Sequence, residues 1–257
     1  MGVYNCASTL SEAIDSLLTQ TFTDWELIMC DDGSIDSTMA VAQSYVDKYD
    51  NILLIRNEQN MGLPATLNHC LEYAESEYIA RMDGDDISLP ERFEMEVDVL
   101  DVHPEYAIVS GGMICFDETG DWGVIKTKEK PQKMDFVYGT PFCHAPCMVR
   151  REALNKVGDY TVNERLRRGQ DYYLWYKFYK NGYVGYNIQK PIYKMRDDRN
   201  AAKRRTFKSA FLAFSIQKEI FDGLGIPKFY YYRLFRGVIV TLIPKQFYIF
   251  LHKMKHR

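Results

Sequence analysis

Three carboxylates crowd into four residues at Asp83-Gly84-Asp85-Asp86, and the run Tyr78-Ile79-Ala80-Arg81-Met82 leads into them. The apolar part of that run has the length of a short buried strand, so the acids stand at a strand end. Carboxylates this close repel one another and resist desolvation unless something neutralises them. A divalent metal with hard oxygen ligands, Mg²⁺ or Mn²⁺, would do so, and would bridge them to a bound phosphate. An acidic surface turn of the Asp-Gly kind would satisfy the same pattern. An EF-hand loop would not, since it needs alternating ligands and a later Glu. A second acidic turn, Asp31-Asp32-Gly33-Ser34, closes the strand-like run Trp25-Glu26-Leu27-Ile28-Met29-Cys30.

The elements around these turns alternate. Ser8 or Ser11 can cap a helix whose Leu10, Ile14, Leu17 and Leu18 share one face. A second helix is expected over 36–49, a strand over 52–55, a loop over 57–62 and a third helix over 64–74, with Pro64 in its first turn. Strand, helix, strand, helix, strand with short loops predicts a parallel sheet. Such sheets bind ligands beyond the carboxyl ends of their strands, where both acidic turns fall. From residue 108 the pattern changes: strand material over 108–116, a hairpin loop over 117–123, a strand over 142–149, and an amphipathic helix over 170–180. A further helix is expected over about 207–221.

The chain has 257 residues, enough for one core with an appendage, and its 46% apolar and 26% charged residues are ordinary for a globular protein. The net charge of −3 conceals a division. Residues 1–189 carry 16 Lys and Arg against 31 Asp and Glu, whereas 190–257 carry 16 against 4. An acidic body with a basic tail implies an anionic partner for the tail. Nucleic acid is a poor candidate, because the body is acidic and no recognition motif is present. The six cysteines (Cys6, Cys30, Cys70, Cys115, Cys143, Cys147) form no Cys-x-x-Cys pair, and Cys143 and Cys147 flank His144 without further zinc ligands at suitable spacing. With no signal peptide and no run of about 18 apolar residues, a reducing cytoplasm and buried free thiols are expected.

Taken in order, several motifs resemble the family 2 glycosyltransferases of the GT-A fold. They are Val3-Tyr4-Asn5, Leu17-Leu18-Thr19-Gln20-Thr21-Phe22, Trp25 through Ser34, Asn60-x-Gly62, Leu67-Asn68, Arg81 through Asp86, and Gln170-Asp171-x-x-Leu174-Trp175. The likeness covers roughly residues 1–195. Thr140-Pro141-Phe142-Cys143-His144 and the stretch 193–205 further resemble enzymes of bacterial exopolysaccharide and capsule synthesis. The resemblance implies an α/β fold: a Rossmann-like mixed, mainly parallel sheet flanked by helices, with a C-terminal helical extension. Residues 1–106 would form the nucleotide-binding half and 107–195 the acceptor-binding half. The tail, 196–257, would be basic, aromatic and helical.

By position in the motifs, Tyr4 and Asp32 would hold the uracil ring of a UDP-sugar; Asn60, in the same nucleotide-sugar site, either fixes the nearby loop or caps its own turn. Asp83 would lie by ribose and metal, Asp85 would bind the metal, and Asp171 would be the general base of an inverting transfer. Asp86 is left with a supporting part. His144, Gln170 and Trp175 are acceptor-side candidates, although His144 could be a hydrogen-bonded interior residue and Trp175 a core residue. Asn68 either fixes the loop near the nucleotide or caps its own turn. Two departures from the family stand out: the first strand is very short, and Gln170-Asp171 replaces a frequent Glu-Asp.

Metal-held diphosphate would leave more easily, and a carboxylate must take the acceptor's proton. An N-cap is the competing role for Asp171. Arg165, Arg167 and Arg168 either meet the pyrophosphate of a lipid-linked acceptor or form a solvated loop. The tail mixes aromatics and cations over 229–236 and 247–255, and carries Lys203, Arg204, Arg205 and Lys208. Interfacial helices have that mixture, which places the protein peripherally on the anionic inner face of the plasma membrane. A helical pair packed on the body is compatible with this. Two rival functions remain: a sugar-nucleotide nucleotidyltransferase, which would need an early Gly-rich basic phosphate loop, and a non-catalytic membrane-associated protein with the same fold.

Overall fold

The computed structural model describes residues 1–166, 168–197 and 206–241, apart from the Lys208 side chain. Arg167, Lys203, Arg204, Arg205, the segment 247–255 and the Lys208 side chain, all singled out above, lie outside the described residues.

The first half is a three-stranded parallel sheet with helical connections. Strand β1 (Gly2–Val3) pairs with β2 (Leu27–Asp31), which pairs with β3 (Ile52–Arg56). All five residues of β2 are buried, as a parallel strand covered on both faces requires. Helix α1 (Leu10–Leu18) lies between β1 and β2 and buries Leu10, Ala13, Ile14 and Leu17, the i, i+3, i+4, i+7 stripe of one face. Its N-cap is Thr9 rather than either serine, and the Thr9 hydroxyl bonds the Cys6 and Gly84 carbonyls. Helix α2 (Thr38–Val46) starts two residues later than expected, because the Asp36 carboxylate accepts from the Thr38 amide and hydroxyl. Helix α3 (Leu63–Leu71) has Pro64 in its first turn.

The second sheet is mixed. Its order is β4 (Tyr78–Ala80), β8 (Met148–Arg150), β6 (Tyr106–Asp117), β9 (Val184–Arg196), β5 (Ile87–Ser88), with β7 (Gly120–Ile125) also on β6. Only β6 and β9 run parallel among these pairs. The two sheets touch where Gly2 of β1 makes a parallel bridge to Asp83. The metal-candidate turn therefore sits on the seam.

Three sequence expectations change here. Strand β4, expected to continue the parallel sheet, pairs antiparallel with β8 in the second sheet. The hairpin loop over 117–123 shrinks to a tight turn, because Gly120 at φ +106 lets β7 begin at once. The strand over 142–149 shrinks to Met148–Arg150. Pro141 and Pro146 supply no amide hydrogen for a ladder, so 142–147 is a buried connection, tied by the Ser110 hydroxyl to the Cys143 carbonyl.

Helix α4 (Arg92–Val102) buries a fully enclosed Arg92–Glu96 ion pair, and Arg92 Nη2 donates to the Arg81 carbonyl at 2.7 Å. After α5 (Arg151–Val157) comes α6 (Gln170–Lys180), with the bounds expected from its apolar spacing. Helix α7 (Phe207–Leu224) and the short α8 (Arg236–Thr241) complete the described chain. One core cluster gathers Phe142, Trp175, Phe178, Ile220 and Phe221, and a second gathers Leu10, Ile14, Met29, Phe93 and Tyr193. All six cysteines are free. No helix among the described residues is long and apolar enough to cross a membrane.

Candidate active site

The acidic turn after β4 is built by contacts from three directions. Asp83 is gripped by the Arg81 guanidinium at both oxygens, one at 2.6 Å, and its amide donates to the Tyr193 hydroxyl. Asp86 is buried, and its carboxylate accepts from the Arg196 amide at 2.7 Å. Asp85 is exposed, while its carbonyl accepts from Arg196 Nε. Arg196 in turn lies 4.5 Å over the Phe116 ring and pairs with Glu12. A side chain at Gly84 would meet Cys6 Sγ at 3.0 Å and Val3 at 3.2 Å, so glycine lets the turn close against β1.

Carboxylate oxygens of Asp83, Asp85 and Asp86 all lie within 4.8 Å of one another. Burial, reinforced by the Asp83 charge, pushes the Asp86 carboxyl up to about 7 and raises that of Asp85. Three carboxylates face one guanidinium paired to the cluster, that of Arg81, which leaves the cluster short of positive charge. Three hard oxygen donors around such a deficit fit Mg²⁺ or Mn²⁺. Asp86, given only a supporting part from the sequence, is a full member of this group.

The second acidic turn serves the loop over 57–62. Asp32 is buried, and its Oδ1 accepts from Asn57 Nδ2 and the Met61 amide, both at 2.8 Å. Its Oδ2 accepts from the Gly62 amide at 2.9 Å. Asp31, fully buried, takes the Ser34 amide and pairs with Arg56 at 3.2 Å. Gly33, at φ +76, brings its backbone against Asn60, where a Cβ would come within 3.0 Å of the amide nitrogen. The Asn60 side chain is exposed, and Tyr4 shows 48% of its surface. Asn5 joins the two loops, accepting from the Ile35 amide while its own amide donates to Ser34 Oγ. Tyr4, Asp32 and Asn60 are therefore brought together at the strand ends. The Asp32 carboxylate also has a structural task that its residue type did not reveal. Asn68 lies elsewhere, exchanging two hydrogen bonds with the Tyr160 backbone.

Asp171 is the second residue of α6, behind a left-handed N-cap at Gly169, so it is not itself the cap. Burial raises its carboxyl, opposed by the Tyr172 and Asp171 amides and by the Arg81 charge. Arg81 thus acts electrostatically on both Asp83 and Asp171. His144 is held by the Tyr160 hydroxyl at 2.8 Å, and burial and then Arg81 hold its imidazole well below the usual range, so it is neutral. Gln170 is partly exposed at the helix start, and its Oε1 has no partner among the described residues. Trp175 must be corrected: it is 0% exposed, edge-on to Phe142 and His144, and no sugar can reach its faces. Core packing took the position because it lies on the inner side of α6 with Leu174 and Phe178. Arg165 pairs with Glu219 at 2.7 Å, and Arg168 is exposed.

Sequence reasoning gave no role to Arg81, Tyr193 or Arg196. Arg81 could have been flagged as the cation adjoining the acids. Tyr193 and Arg196 arrive from β9, in the stretch 193–205, whose resemblance to exopolysaccharide and capsule enzymes carries no role for either residue.

Residues 1–158 match the family model described as glycosyl transferase family 2. EpsE of Bacillus subtilis (strain 168) is 46% identical over 208 residues, spanning 80% of this chain and 75% of EpsE. The Escherichia coli UDP-Gal:α-D-GlcNAc-diphosphoundecaprenol β-1,3-galactosyltransferase is 31% identical over 253 residues, 95% of this chain and 90% of that protein. Residues 1–349 of Staphylococcus aureus TarS, solved with UDP-GlcNAc, align with a TM-score of 0.69 at 18% identity, covering 91% of this chain and 71% of that one. That last likeness is one of fold.

Proposed function

This chain belongs to glycosyl transferase family 2 and is a glycosyltransferase with a GT-A fold, and from that premise we propose the donor, acceptor and mechanism. It moves a sugar from a UDP-sugar to a lipid-linked saccharide, in exopolysaccharide or capsule synthesis, by one inverting displacement. The observation that carries this is the three-carboxylate turn on the seam of the sheets, joined through the Arg81 charge to Asp171. The E. coli relative is named for a UDP-sugar donor and a diphosphoundecaprenol acceptor, which supports both substrate classes.

Asp171 takes the proton of the acceptor hydroxyl as that oxygen attacks the anomeric carbon. The bond from that carbon to the UDP oxygen breaks on the opposite face, and the anomeric configuration inverts. A carboxyl raised by burial holds a proton better than a solvated one, which suits a base. Asp83, Asp85 and Asp86 would hold Mg²⁺ or Mn²⁺, which when bound supplies Lewis-acid stabilisation of the departing diphosphate. Arg81 fixes the Asp83 carboxylate in place. Asp32 shapes the loop carrying Asn60, and the exposed Tyr4 ring offers a face to uracil.

Peripheral attachment to the inner face of the plasma membrane completes the proposal. Phe207, Phe211, Phe229, Phe235 and Ile239 are each more than half exposed on the C-terminal helices. Apolar side chains beside a basic tail suit an anionic bilayer surface. Family membership sets the nucleotidyltransferase aside. A non-catalytic role is tested by Asp171→Asn. Loss of a general base costs about 10²- to 10⁴-fold in kcat, with UDP affinity kept within about two-fold. Transfer at the wild-type rate by the variant would refute the mechanism. Thermal shifts with UDP-, GDP- and dTDP-sugars, with and without Mn²⁺, test donor and metal together.

A further inference from the structure

An open groove of about 1300 Å³ is walled by the loop that leads into α6 and by α7 and α8, and its lining includes Gly169 and Tyr172, chain neighbours of Asp171. This exceeds the roughly 300–1,000 Å³ of an ordinary small-molecule pocket, so a single hexose would leave most of it empty. Its character is divided. Arg165 and Arg168 stand on the side of the α6 loop, while Ala210, Ala213, Ile216 and Val240 supply an apolar wall from α7 and α8.

Position relative to Asp171 decides what the groove can hold. Arg168 precedes Asp171 by three residues, so its backbone lies at most about 11 Å away along the chain. A saccharide whose hydroxyl reaches Asp171 is therefore within span of these arginines at its reducing end. Arg165 is about one-third exposed, and its partner Glu219 also receives the Tyr173 hydroxyl at 2.6 Å. Glu219 thus keeps a hydrogen-bond donor if the guanidinium turns to a stronger anion. Planar guanidinium groups hold phosphate oxygens in pairs. The apolar wall begins one helix away, where an alkyl chain leaving a diphosphate would run.

Resting on the assignment of Asp171 as base and of a lipid-linked acceptor, we propose that this groove binds the isoprenoid diphosphate of that acceptor. Arg165 and Arg168 hold the diphosphate, and the Ala210–Ala213–Ile216–Val240 wall holds the first isoprenoid units.

Geranylgeranyl diphosphate is the probe, titrated into the full chain with the donor site filled by saturating UDP and Mn²⁺. The wild type binds it, and Arg168→Glu and Ala213→Trp each weaken binding at least ten-fold, with UDP affinity changed less than two-fold. Ala213 is exposed, so its replacement fills the groove without entering the core; unchanged melting temperatures verify this. Equal binding of inorganic diphosphate would overturn the apolar part, and equal binding of geranylgeraniol the arginine part. Unweakened binding by both variants, or loss of UDP affinity in parallel, would overturn the site as a whole. Asp171→Asn binds the probe as the wild type does. Probe binding therefore stands apart from transfer, and failure of the base assignment shows only in the transfer assay.

Discussion

Replacing Asp32 by Asn separates two tasks held by one buried carboxylate. Three donors converge on it: Asn57 Nδ2 and the Met61 amide at Oδ1, and the Gly62 amide at Oδ2. Asparagine keeps one oxygen. With that oxygen on the Oδ1 side it retains two partners, and its NH₂ group then opposes the Gly62 amide, donor against donor. A hydrogen bond to a charged group is worth about 1.5–3 kcal/mol and a neutral one about 0.5–1.5 kcal/mol. The bond lost outright costs about 2 kcal/mol and the two weakened ones about 1 kcal/mol each, about 4 kcal/mol together. At about 2–4 °C per kcal/mol for a chain of this size, the melting temperature falls by about 8–16 °C. Calorimetry without nucleotide measures this directly. Titrations with Mn²⁺ and UDP follow, in which the metal affinity stays and the UDP affinity drops as the loop over 57–62 loosens. The reasoning fails if the unliganded melting temperature moves by less than about 1 °C while UDP binding is lost. Asp32 would then be a nucleotide contact with no part in shaping the loop.

Other expectations concern neighbouring positions. Gly33→Ala places a Cβ within 3.0 Å of the Asn60 amide at a positive φ, so stability falls by about 1–3 kcal/mol and UDP affinity with it, read by melting and by titration. His144 is held neutral, so below its usual value of 6.5 the unfolded chain binds a proton that the folded one does not. Stability tied to it is present above pH 6.5 and is lost as the pH falls below that value. His144→Gln removes that component, and denaturant titrations at pH 7.5 and 5.5 compare the two chains. Trp175→Phe lowers stability, as large-to-small core changes do, but leaves the acceptor KM within about two-fold. A selective rise in that KM would restore Trp175 to the acceptor site.

What the sequence made visible followed from local causes. Leu174, Trp175 and Phe178 recur at helical spacing, and α6 has the bounds that they imply. The acids at 83–86 end a short apolar strand, and their neighbours in sequence are their neighbours in space. Distant partners were not visible. Arg196 reaches Asp85 and Asp86 from the far end of β9, and Tyr193 takes the Asp83 amide from the same strand. Nothing in the spacing around either residue announces that pairing. The work of Asp32 was hidden for another reason: two of its three partners are backbone amides, which every sequence position offers alike. The proline at 146 was legible, and weighing it against the apolar run over 142–149 would have shortened that strand.

Arg81 links the metal-candidate turn electrostatically to Asp171, the proposed base. Its carbonyl is pinned by Arg92, which is itself fixed by the enclosed pair with Glu96, so the guanidinium is delivered by a rigid backbone. Three carboxylates bring three negative charges when ionised, and Arg81 answers one of them through Asp83. Two charges then remain, on Asp85 and Asp86, whose carboxyls are raised by burial and then by the Asp83 charge. Arg196, also at the turn, is paired with Glu12, and a divalent cation would answer both remaining charges. Because the same guanidinium also favours the ionised form of Asp171 and the neutral form of His144, its removal would disturb donor and acceptor sides together. A residue placed only for stability of the turn would have no reason to be felt by the base across the site. On the proposed mechanism, the shared cation ties the charge of the leaving group's site to the proton affinity of the group that activates the acceptor.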